Sequence, residues 1–125
     1  MKELTKAEEQ IMQILWELKQ AFVHDIIEQL PEPKPAYNTV STIVRILEKK
    51  GFVDHEAFGK THRYHPVIEK KVYTKFMFKG LLNGYFSNSM HQMVSFFSKE
   101  KGLSLAELEE LKQIIENEIN TKEKN

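Results

Sequence analysis

The stretch AYNTVSTIVRILEKKG, residues 36–51, decides the fold of this chain. Its apolar residues recur at spacings typical of the buried face of a helix: Val40, Ile43, Val44 and Leu47. Between them lie short hydrogen-bonding side chains and an arginine: Asn38, Thr39, Ser41, Thr42 and Arg45. Asparagine, serine and threonine are poor helix formers, so helix stability does not explain this face. We therefore expect a helix over 36–50, ended by Gly51, whose outer face binds another molecule.

Two further helices are predicted on the N-terminal side of this stretch. Thr5-Lys6-Ala7-Glu8 has the form of a capping box, and apolar residues at helical spacing follow it over 6–18. After a turn at 20–22, a second helix is predicted over 23–30. The proline-rich segment PEPKP ends that helix, because proline lacks the amide donor that a continuing helix needs.

A change of pattern after the third helix predicts a β-hairpin. Residues 52–57 and 61–65 have strand character, residues 58–60 form a turn, and Pro66 ends the second strand. Three helices followed by a hairpin is the element order of a winged helix-turn-helix domain. We therefore predict a winged helix-turn-helix domain over residues 1–66.

Residues 67–125 are predicted to form a helical dimerisation domain. Helices are expected over 70–82 and 85–99, separated at Gly84, and a last helix follows a second capping box at Ser104–Glu107. These helices carry more large apolar side chains than so small a unit can bury, so we expect an intertwined homodimer. The candidate dimerisation residues are Phe76, Phe86, Met90, Met93, Phe97, Leu108, Leu111 and Ile115. The predicted fold class is mainly α (α+β), a winged helix-turn-helix with a small β-wing followed by a three-helix dimerisation domain.

The composition is that of a folded protein and excludes several classes of site. Of the 125 residues, 41% are hydrophobic. The chain contains no cysteine, so disulfides and thiolate metal sites are excluded. No apolar run approaches the roughly 18 residues that a membrane-spanning helix needs, and the N-terminus lacks the apolar core of a signal peptide. We expect a soluble, cytoplasmic protein without membrane insertion.

The charges are unevenly distributed although they sum to zero. Residues 34–64 hold six basic side chains against three acidic ones. The basic side chains are Lys34, Arg45, Lys49, Lys50, Lys60 and Arg63. A basic face can therefore exist on a neutral molecule, which is compatible with a nucleic-acid partner.

The outer face of the third helix has side chains suited to recognising DNA, and the alternative is a polar face that contacts only solvent. Asn38, Ser41 and Arg45 are spaced by three and four, so they share one helical face. Arg45 is suited to guanine, and Asn38 or Thr42 to adenine, phosphate or a thymine methyl group. Lysine and arginine at the helix end and in the wing would neutralise phosphates. The candidate DNA-binding residues are Tyr37, Asn38, Thr39, Ser41, Thr42, Arg45, Lys49, Lys50, Lys60 and Arg63.

Other functions have less support in the residues. His62 and His65 are an odd number of residues apart on one predicted strand, so they face opposite sides and we expect no metal site. The sequence has no glycine-rich phosphate loop, paired catalytic motif or thiol nucleophile, so we expect neither an enzyme nor a cofactor. One alternative stays open, a protein-interaction module on the same fold without DNA binding.

Several segments in register resemble a known family. In chain order they read TKAE, ILW, LP, AYNTVSTIVRILEKKGFVDHE and GKTHRYHPVI. The chain resembles the BlaI/MecI family of penicillinase and methicillin-resistance repressors, to which the copper repressor CopY is related. The resemblance covers nearly the whole chain and is strongest over residues 36–66. It implies a homodimeric winged-helix transcriptional repressor that binds palindromic double-stranded operator DNA.

The resemblance also implies a route of release, with departures from the family pattern. Family members are often inactivated through a membrane metalloprotease sensor that leads to cleavage in the C-terminal domain. The cleaved bond joins an asparagine to a phenylalanine between the last two helices, and the matching pair here is Phe96–Phe97. Ile46 stands where the family tends to have a basic residue, so a different operator sequence is expected. The lack of cysteine excludes copper sensing through thiolates.

Overall fold

The computed structural model describes residues 1–100 and 102–124. In chain order the elements are α1 (Lys6–Leu18), α2 (Val23–Gln29), α3 (Tyr37–Lys49), β1 (Val53–Phe58), β2 (Thr61–Pro66), α4 (Lys70–Phe86), α5 (Met90–Lys99) and α6 (Leu105–Glu123). The predicted order of three helices and a hairpin is therefore confirmed. The chain divides into two compact units, an N-terminal unit of Met1–Phe78 and a C-terminal unit of Lys79–Asn125.

Helix α1 begins at the capping box that the sequence predicted. The Thr5 hydroxyl accepts a hydrogen bond from the Glu8 amide at 3.2 Å, and the Glu8 carboxylate accepts one from the Thr5 amide at 2.9 Å. Such bonds satisfy amide groups that a helix leaves unpaired at its start. Further along the helix, Ile11, Met12 and Leu15 are buried in the core of the N-terminal unit.

Helix α2 is short, and side chains close both of its ends. The Asp25 carboxylate accepts a hydrogen bond from the Phe22 amide at 2.9 Å where the helix begins. Where the helix ends, the Lys34 ammonium donates to three carbonyl oxygens, the closest being that of Leu30 at 2.6 Å. A cation is favourable there because the carbonyl end of a helix carries a partial negative charge.

Helix α3 packs on the core through the face that the sequence predicted. Val40, Val44 and Leu47 are buried, and Ile43 is half-buried. After the helix, Gly51 adopts a φ of 85°, in the left-handed region that glycine occupies without strain. The opposite face of α3 is left exposed to solvent.

Strands β1 and β2 form an antiparallel hairpin, here called the wing. Phe58 pairs with Thr61 across a tight turn, in which Gly59 has a φ of 62°. The segment before α2 joins this sheet, because Ala21 and Tyr64 exchange both backbone hydrogen bonds, at 2.9 and 2.8 Å. Ala21, predicted only as part of a turn, therefore also holds β2 beside the start of α2.

The first turns of α4 complete the core of the N-terminal unit. The hydroxyl of the buried Tyr73 accepts a hydrogen bond from the Leu4 amide at 2.8 Å. The Trp16 indole donates to the Ile68 carbonyl oxygen at 2.9 Å. The ring centres of Trp16 and Tyr73 lie 6.0 Å apart, so the start of α4 packs against α1. The domain boundary expected at 66–67 stays a prediction.

The helix break in the C-terminal unit comes later than predicted. Helix α4 continues through Gly84 to Phe86. The chain turns instead at Ser87 and Asn88, whose φ angles are 51° and 61°, and Ser89 caps α5. The predicted break at Gly84 was wrong, because one glycine costs a helix only about 1 kcal/mol and a serine cap stabilises a new helix start by a similar amount.

The last two helices contain no buried residue among those that the structure describes. Their larger apolar side chains are half-buried or exposed. Across residues 1–100 and 102–124, no helix is both long and apolar enough to cross a bilayer.

Candidate nucleic-acid interface

The outer face of α3 presents hydrogen-bonding side chains to solvent. Asn38, Thr39, Thr42 and Arg45 are exposed, and Ser41 is half-buried. Because the opposite face of the helix is buried in the core, these side chains project from a fixed helix. Asn38, Ser41 and Arg45 therefore lie on the solvent-facing side of α3, as their spacing predicted.

Hydrogen bonds within α3 limit what this face can offer to a partner. The Thr42 hydroxyl donates to the Asn38 carbonyl oxygen at 2.8 Å, so Thr42 would meet a base through its methyl group or an oxygen lone pair. The Arg45 Nε donates to the Ser41 carbonyl oxygen at 3.4 Å. That bond leaves the two terminal nitrogens of the guanidinium as donors.

A concave surface of about 300 Å³ lies between the starts of α2 and α3 and the wing. Its lining residues include Phe22, His24, Asp25, Tyr37, Thr61 and His62. The rings of His24 and Tyr37 lie 4.9 Å apart, so they form one joined edge of this surface. Sequence reasoning did not place His24 or Thr61 beside Tyr37. The helix-turn-helix order, which sets the start of α2 near the start of α3, is the signal that could have indicated it.

The wing holds one of its cations against an aromatic ring. The Arg63 guanidinium lies 4.8 Å from the centre of the Phe58 ring and 3.4 Å from a Glu56 carboxylate oxygen. Phe58 in turn contacts Phe22 edge-on, with ring centres 5.8 Å apart. Arg63 is therefore positioned by its neighbours, with part of its charge offset by Glu56.

Lys50, predicted to contact phosphate, forms an ion pair with an acidic residue of α1. Its ammonium lies 2.8 and 2.9 Å from the two carboxylate oxygens of Glu8, a residue only 5% exposed. Burial alone would raise the pKa of Glu8, but hydrogen bonds from Lys50 and Thr5 outweigh burial and hold that pKa below its ordinary value. The pair joins the end of α3 to α1, and contact of Lys50 with DNA stays a prediction.

Fewer basic side chains are available to a partner than the sequence suggests, because some of them bind groups of the same chain. Lys34 caps α2. Among the residues that the structure describes, Arg45, Lys49 and Lys60 form no ion pair and are exposed. Unpaired cations near the polar face are therefore found on α3 itself and in the wing turn.

The wing histidines lie on two faces of the hairpin. His62 stacks on His55, with ring centres 4.0 Å apart, whereas His65 pairs across the sheet with Asp54. On the His55 side, burial raises the pKa of Tyr64, and the nearby Glu48 carboxylate adds to the rise. Tyr64 therefore stays a neutral phenol at neutral pH.

The predicted dimerisation residues occur in both compact units. Phe76 is half-buried against the N-terminal core, with its ring centre 5.9 Å from that of Tyr73. In the C-terminal unit, the Phe86 ring centre lies 5.7 Å from Phe96 and 6.4 Å from Phe97. The other candidates are exposed or half-buried: Met90, Met93, Leu108, Leu111 and Ile115.

The candidate cleavage bond lies within a helix. Phe96 and Phe97 both belong to α5, which continues to Lys99. The bond is therefore not in the connection between the last two helices, where the resemblance implied it. The two residues are 50% and 40% exposed, so a protease could reach the side chains but would meet a helical backbone.

One family of sequences matches almost the whole chain. The sequence model described as "Penicillinase repressor" matches residues 4–117. This chain belongs to the penicillinase repressor family. The methicillin resistance regulatory protein MecI of Staphylococcus aureus (strain N315) is 30% identical over 114 residues, covering 90% of this chain and 93% of MecI. The penicillinase repressor of Bacillus licheniformis is 27% identical over 121 residues, covering 96% of this chain and 94% of that protein.

A solved structure of a repressor's DNA-binding domain matches more than half of the chain. The solution structure of the DNA binding domain of the repressor BlaI has a TM-score of 0.50 and 26% identity. The match covers 58% of this chain and 94% of that domain. The predicted winged helix-turn-helix fold is therefore confirmed.

Membership of the penicillinase repressor family confirms the resemblance that the sequence motifs carried. The chain is accordingly a winged-helix transcriptional repressor.

Proposed function

We propose that this protein is a homodimeric repressor in which each copy inserts α3 into the major groove of a palindromic operator. The observation that carries the proposal is the exposed polar face of α3, on a helix whose other face is buried. A major groove admits a helix and offers a distinct pattern of donors and acceptors for each base pair. The short side chains of this face allow the helix to approach the bases closely.

Arg45 and Asn38 are the residues assigned to base edges. A guanidinium can donate two parallel hydrogen bonds to guanine, and a carboxamide can pair in the same way with adenine. Both residues are exposed, and the terminal nitrogens of Arg45 are available. Ser41 and Thr42 lie between them in the sequence and are assigned to phosphate or to a thymine methyl group.

The sugar–phosphate backbone is assigned to the concave surface at the start of α3 and to the wing. Tyr37, His24 and Thr61 would meet one strand through ring, imidazole and hydroxyl groups. Lys49 in the last turn of α3 and Lys60 in the wing turn supply exposed ammonium groups. Phosphate contacts fix the position of the protein on the duplex but carry no sequence information.

Two copies are proposed to associate through the C-terminal helices. Met90, Ile115 and Ile119 are 50%, 48% and 51% exposed. Large apolar patches are rare on monomeric proteins and mark surfaces of association. A dimer would hold two α3 helices about one turn of DNA apart, and binding of the second half-site would gain from the high effective concentration.

Loss of dimerisation is proposed as the route of release, with a membrane metalloprotease sensor as the partner that leads to cleavage. Because the Phe96–Phe97 bond lies in α5, cutting it would require local unfolding of the last turns of that helix. A cut there would separate α6 from the rest of the chain. DNA binding would weaken although α3 itself stays intact.

The proposal is tested by fluorescence anisotropy with the DNA upstream of the protein's own gene, at several salt concentrations, together with sedimentation velocity. We expect a dimer at micromolar concentration and binding about 10³-fold or more tighter than to scrambled DNA. We also expect an affinity that falls steeply with salt, because bound phosphates release counterions. A stable monomer, or salt-insensitive binding that is equal on both DNAs, would reject the proposal and favour the protein-interaction module.

A further inference from the structure

A cluster of potential metal ligands lies where α3 meets the wing. Glu48 is in the last turn of α3, and Asp54 and His55 are in β1. Asp54 and His55 start from opposite faces of β1, but the Asp54 carboxylate bends towards the next residue and accepts a hydrogen bond from the His55 amide at 2.8 Å. One ligand atom from each of the three residues therefore lies within 4.8 Å of the others. The left-handed turn at Gly51 brings the helix end and the strand together at this point.

Two of the three ligand atoms already lie at nearly the spacing of a metal site. The His55 Nδ1 is 2.7 Å from a Glu48 carboxylate oxygen. Ligand atoms bound about 2.0–2.2 Å from a zinc ion are about 3 Å apart or slightly more. A cation could therefore replace the proton that joins these side chains after only a small movement of each.

We propose that Glu48, Asp54 and His55 bind a divalent transition cation of the zinc class. An imidazole nitrogen with carboxylate oxygens is a ligand set that zinc, cobalt and nickel accept. Magnesium and calcium prefer oxygen ligands alone, so they fit this set less well. Asp54 is exposed, which leaves room for water to complete the coordination.

Neighbouring groups hold His55 in place for this role. The His62 ring stacks on it with planes 8° apart, and the Tyr64 ring centre lies 5.7 Å from it. The His55 amide donates to an Asp54 carboxylate oxygen at 2.8 Å, which ties two of the ligands to each other. The ring contacts limit the rotation of the His55 ring, so that less of its freedom is lost when it binds an ion.

A cation at this position would link the recognition helix to the wing. It would also offset negative charge near the carbonyl end of α3, where a carboxylate is unfavourable. The expected result is a more stable N-terminal unit, whether or not α3 reads DNA. The site therefore stands independently of the proposed function.

Isothermal titration of the full chain with zinc tests the site. The chain has no cysteine, so no thiolate competes for the ion. We expect one zinc ion per chain in the wild-type protein, and binding at least about tenfold weaker in His55→Gln and in Glu48→Gln. The matched control is His91→Gln, which removes an exposed histidine of α5 and should leave zinc affinity unchanged.

Further measurements separate a metal effect from a folding effect. Glu48→Gln keeps the side-chain shape and an amide oxygen beside His55, and circular dichroism without metal reports whether each variant is folded. Zinc at 100 times its Kd should shift the folding equilibrium of the wild-type protein about 100-fold, and that of His55→Gln much less. X-ray absorption of the cobalt complex should report one imidazole nitrogen and several oxygens. Absence of zinc binding, or equal affinity in the wild-type protein and both variants, overturns the proposal.

Discussion

Lys50 and Glu8, which are 42 residues apart in the sequence, form an ion pair in which the ammonium contacts both carboxylate oxygens, at 2.8 and 2.9 Å. Glu8 also caps the start of α1, so one carboxylate serves the helix cap and the packing of α3. A lysine at the end of a recognition helix would ordinarily be assigned to phosphate. Here the ammonium of Lys50 instead pairs with Glu8 of the same chain.

The first prediction concerns the pH dependence of stability. The folded-state pKa of Glu8 is below its unfolded value of about 4.5, so its stabilising effect is complete above that pH and is lost as the pH falls through the folded pKa. Glu8→Gln should lower the free energy of unfolding by about 1–3 kcal/mol at pH 7, since it removes a hydrogen-bonded charge. Urea unfolding at pH 7 and in acid should show that this difference shrinks in acid.

Glu9→Gln is the matched control for this prediction. Glu9 is the next residue of the same helix turn and forms no ion pair among the described residues. Its substitution should change the free energy of unfolding little at either pH. A Glu8→Gln effect that is the same at both pH values would contradict the linkage.

Arg45→Ala should reduce operator affinity by about 1–3 kcal/mol and relax the preference at one base pair. The terminal nitrogens of Arg45 are free to donate to guanine, and no acid competes for them among the described residues. Anisotropy with a set of operators, each altered at one base pair, measures both effects. Equal losses on operator and random DNA would show that Arg45 contacts only the backbone.

Lys60→Ala should weaken binding to all sequences alike and reduce the slope of log affinity against log salt by about one. Lys60 lies exposed in the wing turn, where an ammonium can reach a phosphate but has no fixed geometry for a base. The measurement is an affinity series over salt on operator and random DNA. A loss confined to the operator would reassign Lys60 to base recognition.

Lys34→Ala should act on stability instead of on DNA binding. The Lys34 ammonium donates to three carbonyl oxygens at the end of α2, and its loss should cost about 1 kcal/mol of unfolding free energy. Chemical denaturation measures this cost, and the salt slope of DNA binding should stay at the wild-type value. A reduced slope without lost stability would place Lys34 at the DNA.

Ile115→Asp should weaken dimerisation by about tenfold or more, because an exposed apolar side chain proposed to be buried on association becomes charged. Sedimentation velocity over a range of concentrations measures the dissociation constant. Gln113→Asp adds the same charge to α6 at a polar position and should leave the dimer largely intact. Equal behaviour of the two variants would remove Ile115 from the interface.

Local patterns in the sequence predicted most of the fold. The capping box at Thr5 and Glu8 acts over three residues, and the positive φ of Gly51 and Gly59 ends a helix and turns a hairpin. The apolar spacing on α3 likewise predicted which side is buried. The break near Gly84 was misplaced because the competing serine cap at Ser89 was not recognised.

The polar face of α3 could be derived from the chain alone, because helical periodicity assigns each of its side chains to the inner or outer face. The pairing partner of each charged side chain could not be derived from the chain alone. Lys50 meets Glu8, and Glu48 meets His55, only after helices and strands pack. Ion pairs depend on distances of a few ångströms between groups that are remote along the chain, and no local spacing encodes those distances. Periodicity therefore settled which residues face outward, and tertiary packing settled which cations remain available to a partner.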